Sequence, residues 1–171
     1  TTSQVAAIEN VFGSTAAGNT VNINNNTITG EYLTATSGVF YGIFNNATAA
    51  TVNMNSNNIS NLSYSNAALT GSGVVYPIFN SGAATNVNAN GNSISNISRI
   101  GTTGGTTIGI YFSAGANQTA NNNIINNISI DGTGTASIIY GIQTSTSTVV
   151  NNGNTISNLT CLKTSGTSAL Y

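Results

Sequence analysis

The chain has 171 residues, and only 3% of them are charged, against about 25% in ordinary globular proteins. Glu9, Glu31, Asp131, Arg99 and Lys163 are the whole charged set, and there is no His and no Trp. This excludes metal sites built from His or paired Cys, the basic face that nucleic acid requires and the Lys/Arg cluster that would hold an anionic membrane surface.

Apolar residues make up 39% of the chain and recur at fixed places, which argues against disorder, as does the single proline, Pro77. Cys161 stands alone, so no internal disulfide framework forms. No run approaches the ~18 apolar residues of a membrane span. The chain opens at Thr1 without an apolar leader. It reads as one β-solenoid segment over 1–171, an excerpt of a longer repeat protein.

Two phrases alternate along the chain. Ala6-Ala7-Ile8 is a partial copy of one of them. VNINNNTITG follows from Val21, then YGI at Tyr41, VNMNSNNISN from Val52 and YPI at Tyr76. VNANGNSISN runs from Val87, IGI from Ile108, QTANNNIINN from Gln118, YGI from Tyr140 and VVNNGNTISN from Val149. Tyr171 falls where the next YGI phrase would begin, so the phase breaks mid-unit and more coils are expected on both sides. The segments between phrases, TATSG, TGSG, GTTGG and DGTGT, are turn and loop chemistry.

Ile28, Ile59, Ile94, Ile125 and Ile156 anchor five units, 31, 35, 31 and 31 residues apart. Four residues before each anchor stand Asn24, Asn55, Asn90, Asn121 and Asn152. Two residues before stand Asn26, Asn57, Asn92, Asn123 and Asn154. Seven residues before come Val21, Val52, Val87, Gln118 and Val149. Two residues after come Gly30, Asn61, Asn96, Asn127 and Asn158, and three after come Glu31, Leu62, Ile97, Ile128 and Leu159.

Alternations such as Val52-Asn53-Met54-Asn55 have period two, the mark of a strand with one face inward. Helical periodicity is missing, and Asn, Gly and Thr are poor helix formers. Parity slips between Met54 and Ile59, so the chain turns there. Asn tolerates left-handed backbone angles, which places the Asn columns at corners. Units stacked in register would bring equivalent residues to ~4.8 Å, and each Asn would bond to its mate as a ladder. The expected fold is therefore all-β: a single-stranded parallel β-helix of about five coils of 31–35 residues, with Asn ladders at corners.

The N-x-I-x-N corner followed by a Gly-Ile strand resembles the right-handed parallel β-helix repeat of pectate-lyase-like proteins. The Asn/Thr/Gly-rich style resembles the repeat region of very large bacterial cell-surface adhesins. That resemblance implies secretion, a stalk, filament or adhesin role at the cell surface, and contact with surfaces or glycans. It does not imply catalysis. Glu31 and Asp131 fall three coils apart, roughly 14 Å at the strand spacing, where a glycosidase pair needs about 5–10 Å. Calcium repeats of the G-G-x-G-x-D kind are missing. No enzyme activity, catalytic residue, metal or cofactor is expected.

Cys161 shares a column with Leu33, Tyr64, Arg99 and Ile130 and reads as a small buried hydrophobe; Arg99 there suggests that the column is not deeply buried throughout. If Tyr41 and Ile43 point inward, alternation sends Phe40 and Phe44 outward. That leaves Phe44, Phe79 and Tyr111 as an outward aromatic file, either a contact strip for sugars or a second small core under a Thr/Gly loop. The expected partners are further coils of the same chain, neighbouring copies and surface glycans, with no nucleic acid and no membrane span. An ice- or glycan-binding solenoid is the alternative, although the Thr residues cluster in loops rather than in T-x-T files. A non-catalytic fragment of a lyase-like protein comes third.

Overall fold

The computed structural model describes residues 2–32, 37–65, 73–101, 103–132, 137–145, 148–163 and 169–171. Among them every regular element is a strand, and every strand pairing is parallel. Each coil lays one strand in each of three sheets. The first sheet holds β1 (Thr2–Asn10), β4 (Ser37–Asn45), β7 (Val74–Asn80), β10 (Thr106–Phe112), β13 (Ile138–Thr144) and β16 (Ala169–Leu170), in that order. The second holds β2 (Thr20–Asn22), β5 (Ala49–Asn53), β8 (Ala84–Asn88), β11 (Asn117–Thr119) and β14 (Thr148–Val150). The third holds β3 (Thr27–Tyr32), β6 (Asn58–Ser65), β9 (Ser93–Gly101), β12 (Ile124–Gly132) and β15 (Thr155–Lys163). The result is the parallel β-solenoid that the repeat predicts.

The anchors stack as read: Ile28, Ile59, Ile94, Ile125 and Ile156 are register partners along the third sheet. Val21, Val52, Val87, Gln118 and Val149 do the same along the second. Ile28, Ile59, Ile94 and Ile125 meet Val52 and Val87 in one continuous core, joined by Ile43, Ile78 and Ile110 of the first sheet, with Val21 packed against it, whereas Ile156 of the last coil is exposed.

The first sheet departs from simple alternation. Phe40 and Val75 lie in the core, so the expectation that Phe40 faces outward, with Tyr41 inward, is corrected. Phe40 and Ile43 face inward, three residues apart, whereas Tyr41 packs with Phe44. The cause lies at Gly42, Pro77, Gly109 and Gly141, where register pairing is interrupted. There the backbone presses on the anchor column. A Cβ on Gly42 would meet Ile59 Cγ2 at 3.3 Å, and one on Gly141 would meet Ile156 Cδ1 at 2.7 Å. The one proline of the chain sits in this irregular column, as a residue without a ladder donor should.

A second correction concerns the first coil. Gly30 pairs with Leu62, with a register shift just before it, and Tyr32 pairs with Tyr64. The later coils carry an extra residue here, Asn61, Asn96, Asn127 or Asn158, each at φ 52 to 55. This is a left-handed bulge that Asn tolerates, and the first coil lacks it. Tyr32, not Leu33, therefore heads the Tyr64, Arg99, Ile130 and Cys161 column; Leu33 lies outside the described residues.

Candidate functional site

The polar chemistry of the chain is concentrated at the corner between the second and third sheets. The left-handed turn there falls between the two Asn columns, on Asn25, Ser56, Gly91, Asn122 and Gly153, at φ 55 to 66. The Asn columns flank the turn and form the ladders.

The two ladders run in opposite directions. In the outer one the backbone N–H of Asn55 donates to Asn24 Oδ1 at 2.7 Å, Asn90 to Asn55 at 2.8 Å, Asn121 to Asn90 at 2.8 Å and Asn152 to Asn121 at 2.7 Å. Each coil thus donates back to the preceding one. In the inner ladder each coil donates forward. The N–H and the Nδ2 of Asn26 both reach Asn57 Oδ1, at 2.9 and 3.0 Å. Asn57 repeats this on Asn92, Asn92 on Asn123 and Asn123 on Asn154. The second amide proton of the inner Asn reaches a core-side carbonyl, as Asn57 does on Ile23 O at 3.0 Å. Asn57, Asn92 and Asn123 are buried with their amide groups satisfied.

Three further ladders escaped the sequence reading. Asn10, Asn45 and Asn80 link through side-chain bonds of 2.7 Å, with Asn45 and Asn80 fully buried. Their signal was the repeated Ile-x-Asn that closes the Tyr phrase, and it stops because Phe112 and Thr144 take over the column. Asn22, Asn53 and Asn88 form a surface ladder, and so do the bulge residues Asn61, Asn96 and Asn127.

Phe44, Phe79 and Tyr111 do form a file. Phe44 and Phe79 stack at 5.4 Å and 13°, and Phe79 and Tyr111 at 5.1 Å and 22°. Tyr41 and Tyr76 widen it, Tyr41 lying 4.5 Å from Phe44. The rings pile along the solenoid axis and cover one another's faces, and Phe44 is buried, so the expectation that it faces outward is corrected. Burial among these rings raises the Tyr41 hydroxyl above the ordinary tyrosine pKa and pushes that of Tyr76 up to about 12. Of the Thr/Gly segments expected to cover the file, 33–36, 66–72 and 133–136 lie outside the described residues, whereas Thr103 and Gly104 turn their carbonyls to Arg99.

Arg99 is a third correction, since it is fully buried. Its Nε donates to Gly73 O at 2.8 Å, and its terminal nitrogens to Thr103 O at 2.7 Å and Gly104 O at 3.1 Å. Burial lowers its pKa, although Tyr64 opposes the effect. Gly73 and Gly105 leave room for the column: a Cβ on the first would collide with Tyr64 Cε1, and one on the second with Arg99 Nε. The guanidinium clamps corner carbonyls, which is a structural role.

The two expected carboxylates do not meet. Glu31 pairs in register with Ser63, whereas Asp131 pairs with Ile100 and Leu162. Among the described residues no group of three or more His, Cys, Asp or Glu is placed to hold a metal ion. No helix of the described residues is long and apolar enough to cross a membrane. Comparison with protein-family models, curated proteins and solved structures finds no match, so the solenoid geometry stands as the basis for a functional reading.

Proposed function

We propose that the chain is a structural and adhesive segment of a repeat protein on the bacterial cell surface, a stretch of stalk, filament or adhesin. The observation that carries this reading is the use of the polar side chains. Column after column of Asn is turned onto the same residue of the next coil, by bonds of 2.7 to 3.2 Å. A polar inventory committed to neighbouring coils makes a stiff rod. The resemblance to pectate-lyase-like and adhesin repeats points the same way.

In this reading the aromatic file is a stabilising seam. Each stacked pair contributes about 0.5–1.5 kcal/mol beyond its buried area, and both faces of Phe79, the middle ring, are covered by neighbouring rings. Phe79→Ser separates seam from contact strip: lost stability with unchanged adhesion leaves only the seam. The surface reading is tested by labelling intact producer cells with an antibody to the solenoid and by shaving them with protease. Signal on intact cells, lost after shaving, is the expected result. Signal only after lysis refutes surface display.

A further inference from the structure

One Asn column carries a sequence feature that the others lack. The bulge residues Asn61, Asn96, Asn127 and Asn158 are each followed, two residues on, by a hydroxyl side chain: Ser63, Ser98, Ser129 and Thr160. Leu or Ile stands between them, never Pro. This is Asn-x-Ser/Thr, the acceptor pattern for a sugar on the Asn side chain. In the inner ladder the residue two on is always the anchor Ile, and in the outer ladder it is always Asn. Neither Asn10, Asn45 and Asn80 nor Asn22, Asn53 and Asn88 have Ser or Thr there. Asn25, Asn46, Asn58 and Asn117 fit the pattern singly, and no other residue of their columns fits it too. Scattered matches of that kind are expected in a chain rich in Ser and Thr. A match in every coil that has the bulge sets this column apart.

The geometry presents both halves of the pattern together. Asn61, Asn96 and Asn127 are exposed although each lies on a strand with a neighbouring strand on either side, so their exposure belongs to the face of the rod. The residues between, Leu62, Ile97 and Ile128, are buried in the core. Each Asn therefore shares the outer face with its hydroxyl partner, and Ser63, Ser98 and Ser129 stack in register there, partly exposed. The amides have a hydrogen to spare. A carboxamide has two N–H groups, and the bulge ladder uses one: Asn96 Nδ2 donates to Asn61 Oδ1 at 3.2 Å, and Asn127 Nδ2 to Asn96 Oδ1 at 3.1 Å. In the inner ladder Asn57 and Asn123 use both, one on the next Asn and one on a core-side carbonyl.

We propose that the bulge column is a glycosylation site, whose Asn side chains accept a sugar activated as a phosphate ester at its anomeric carbon. Nδ2 attacks that carbon and an N–C bond forms. The C–O bond to phosphate breaks, the phosphate leaves with the bonding pair, and one amide proton passes to a base of the transferase. The product keeps one N–H for the ladder and an Oδ1 that still accepts from the next coil. Coils ~4.8 Å apart leave too little width for a sugar on each, so alternate coils carry one, as on Asn61 and Asn127. Sugars here supply what the composition lacks. The chain has a net charge of −1, too little for the charge repulsion that keeps molecules apart in solution, and bulky hydrated sugars serve the same end.

The test isolates the chain from its producer and digests it with a protease of broad specificity, since Arg99 and Lys163 are the only tryptic sites. Fragmentation by electron transfer keeps a sugar on its residue and locates it. A sugar mass on Asn61, Asn96, Asn127 or Asn158 is expected. The mass of one sugar identifies a nucleotide-sugar donor and that of a longer chain a lipid-linked donor, and either supports the assignment. Replacing Ser63, Ser98 and Ser129 by Ala and Thr160 by Val leaves every Asn of the column in place. In that variant the glycopeptide signal should fall at least about tenfold, because the hydroxyl is part of the acceptor pattern. Asn58→Gln, at an isolated match, should leave the signal unchanged. Four bare Asn residues in the native chain, sugars confined to Ser, Thr or the isolated matches, or full signal in the hydroxyl-free variant overturns the proposal. Surface display is read separately: labelled cells with a bare column refute glycosylation alone, and sugar on the column of a chain that labels only after lysis refutes display alone.

Discussion

Replacing Asn92 by Ala tests whether the inner ladder holds the coils together. Asn92 Oδ1 accepts the N–H of Asn57 at 2.9 Å and its Nδ2 at 3.0 Å, while Asn92 Nδ2 donates to Asn123 Oδ1 at 3.0 Å. The substitution removes all three bonds. Two of the groups left behind keep a partner: Asn57 Nδ2 retains Ile23 O, and Asn123 Oδ1 retains the residue-92 N–H. The Asn57 N–H is orphaned in a residue that is 1% exposed. An orphaned buried donor costs about 1–3 kcal/mol and each ordinary bond about 0.5–1.5 kcal/mol, so a total of about 3 kcal/mol is expected. In a chain of this size that lowers Tm by about 6–12 °C. Asn154→Ala removes the equivalent bonds from Asn123, but at a partly exposed position where water can take their place. It should cost about 1 kcal/mol or less. Thermal melts of the two variants, with hydrogen exchange at the Asn57 amide as the local readout, decide the matter. Equal losses in the two variants, or unchanged Asn57 protection in Asn92→Ala, would refute the ladder as the source of stability.

Other expectations rest on single positions. Ser56 adopts φ 55 in the corner column where Gly91 has φ 65; Ser56→Gly should stabilise the chain and Gly91→Ala destabilise it, each by about 1 kcal/mol in paired melts. Arg99→Met fills the column but leaves the Gly73, Thr103 and Gly104 carbonyls without these donors, and chemical denaturation should show a loss of about 2–4 kcal/mol. The Tyr76 pKa is raised to about 12, so its neutral form is favoured by folding. That contribution is complete below pH 10 and is lost as pH rises from 10 through 12; alkaline melts should become less steep in Tyr76→Phe. Asn-Gly occurs at both 90–91 and 152–153. Gly91 N–H is bonded to Asn121 O and Asn90 Oδ1 to the Asn121 N–H, whereas the equivalent groups of 152–153 have no partner among the described residues. In the 171-residue chain taken by itself, ring closure by the Gly nitrogen on the Asn side chain should therefore deamidate Asn152 well before Asn90, which peptide mass spectrometry will detect.

The fold was legible because its periodic positions keep one residue type. Asn in two full columns and Ile in the anchor column fix coil length, register and core without reference to coordinates. Positions that vary in type were not legible. The left-handed corner is occupied by Asn, Ser or Gly in different coils, since the requirement is on backbone angle and several residues meet it. The missing bulge residue of the first coil left the anchor spacing intact and shifted only the pairing of Gly30, Glu31 and Tyr32. Arg99 looked like evidence of exposure, yet the carbonyls that compensate its charge come from distant Gly73 and from the following corner. Facing in the first sheet failed for a local reason: Gly42 breaks the alternation by letting backbone replace a side chain against Ile59.

The opposed polarity of the two corner ladders bears on how long such a rod can grow. Each amide group carries a dipole of about 3.5 D. In an α-helix these point the same way, and the sum leaves partial charges at the ends. Here the outer side-chain amides aim their oxygens toward the later coil and the inner ones toward the earlier coil. Coil by coil the two fields oppose each other, and no macrodipole accumulates along the axis from these groups. As far as the corner ladders are concerned, adding the hundredth coil meets the same electrostatic environment as adding the third; the surface ladders through Asn53 and Asn96 share one sense.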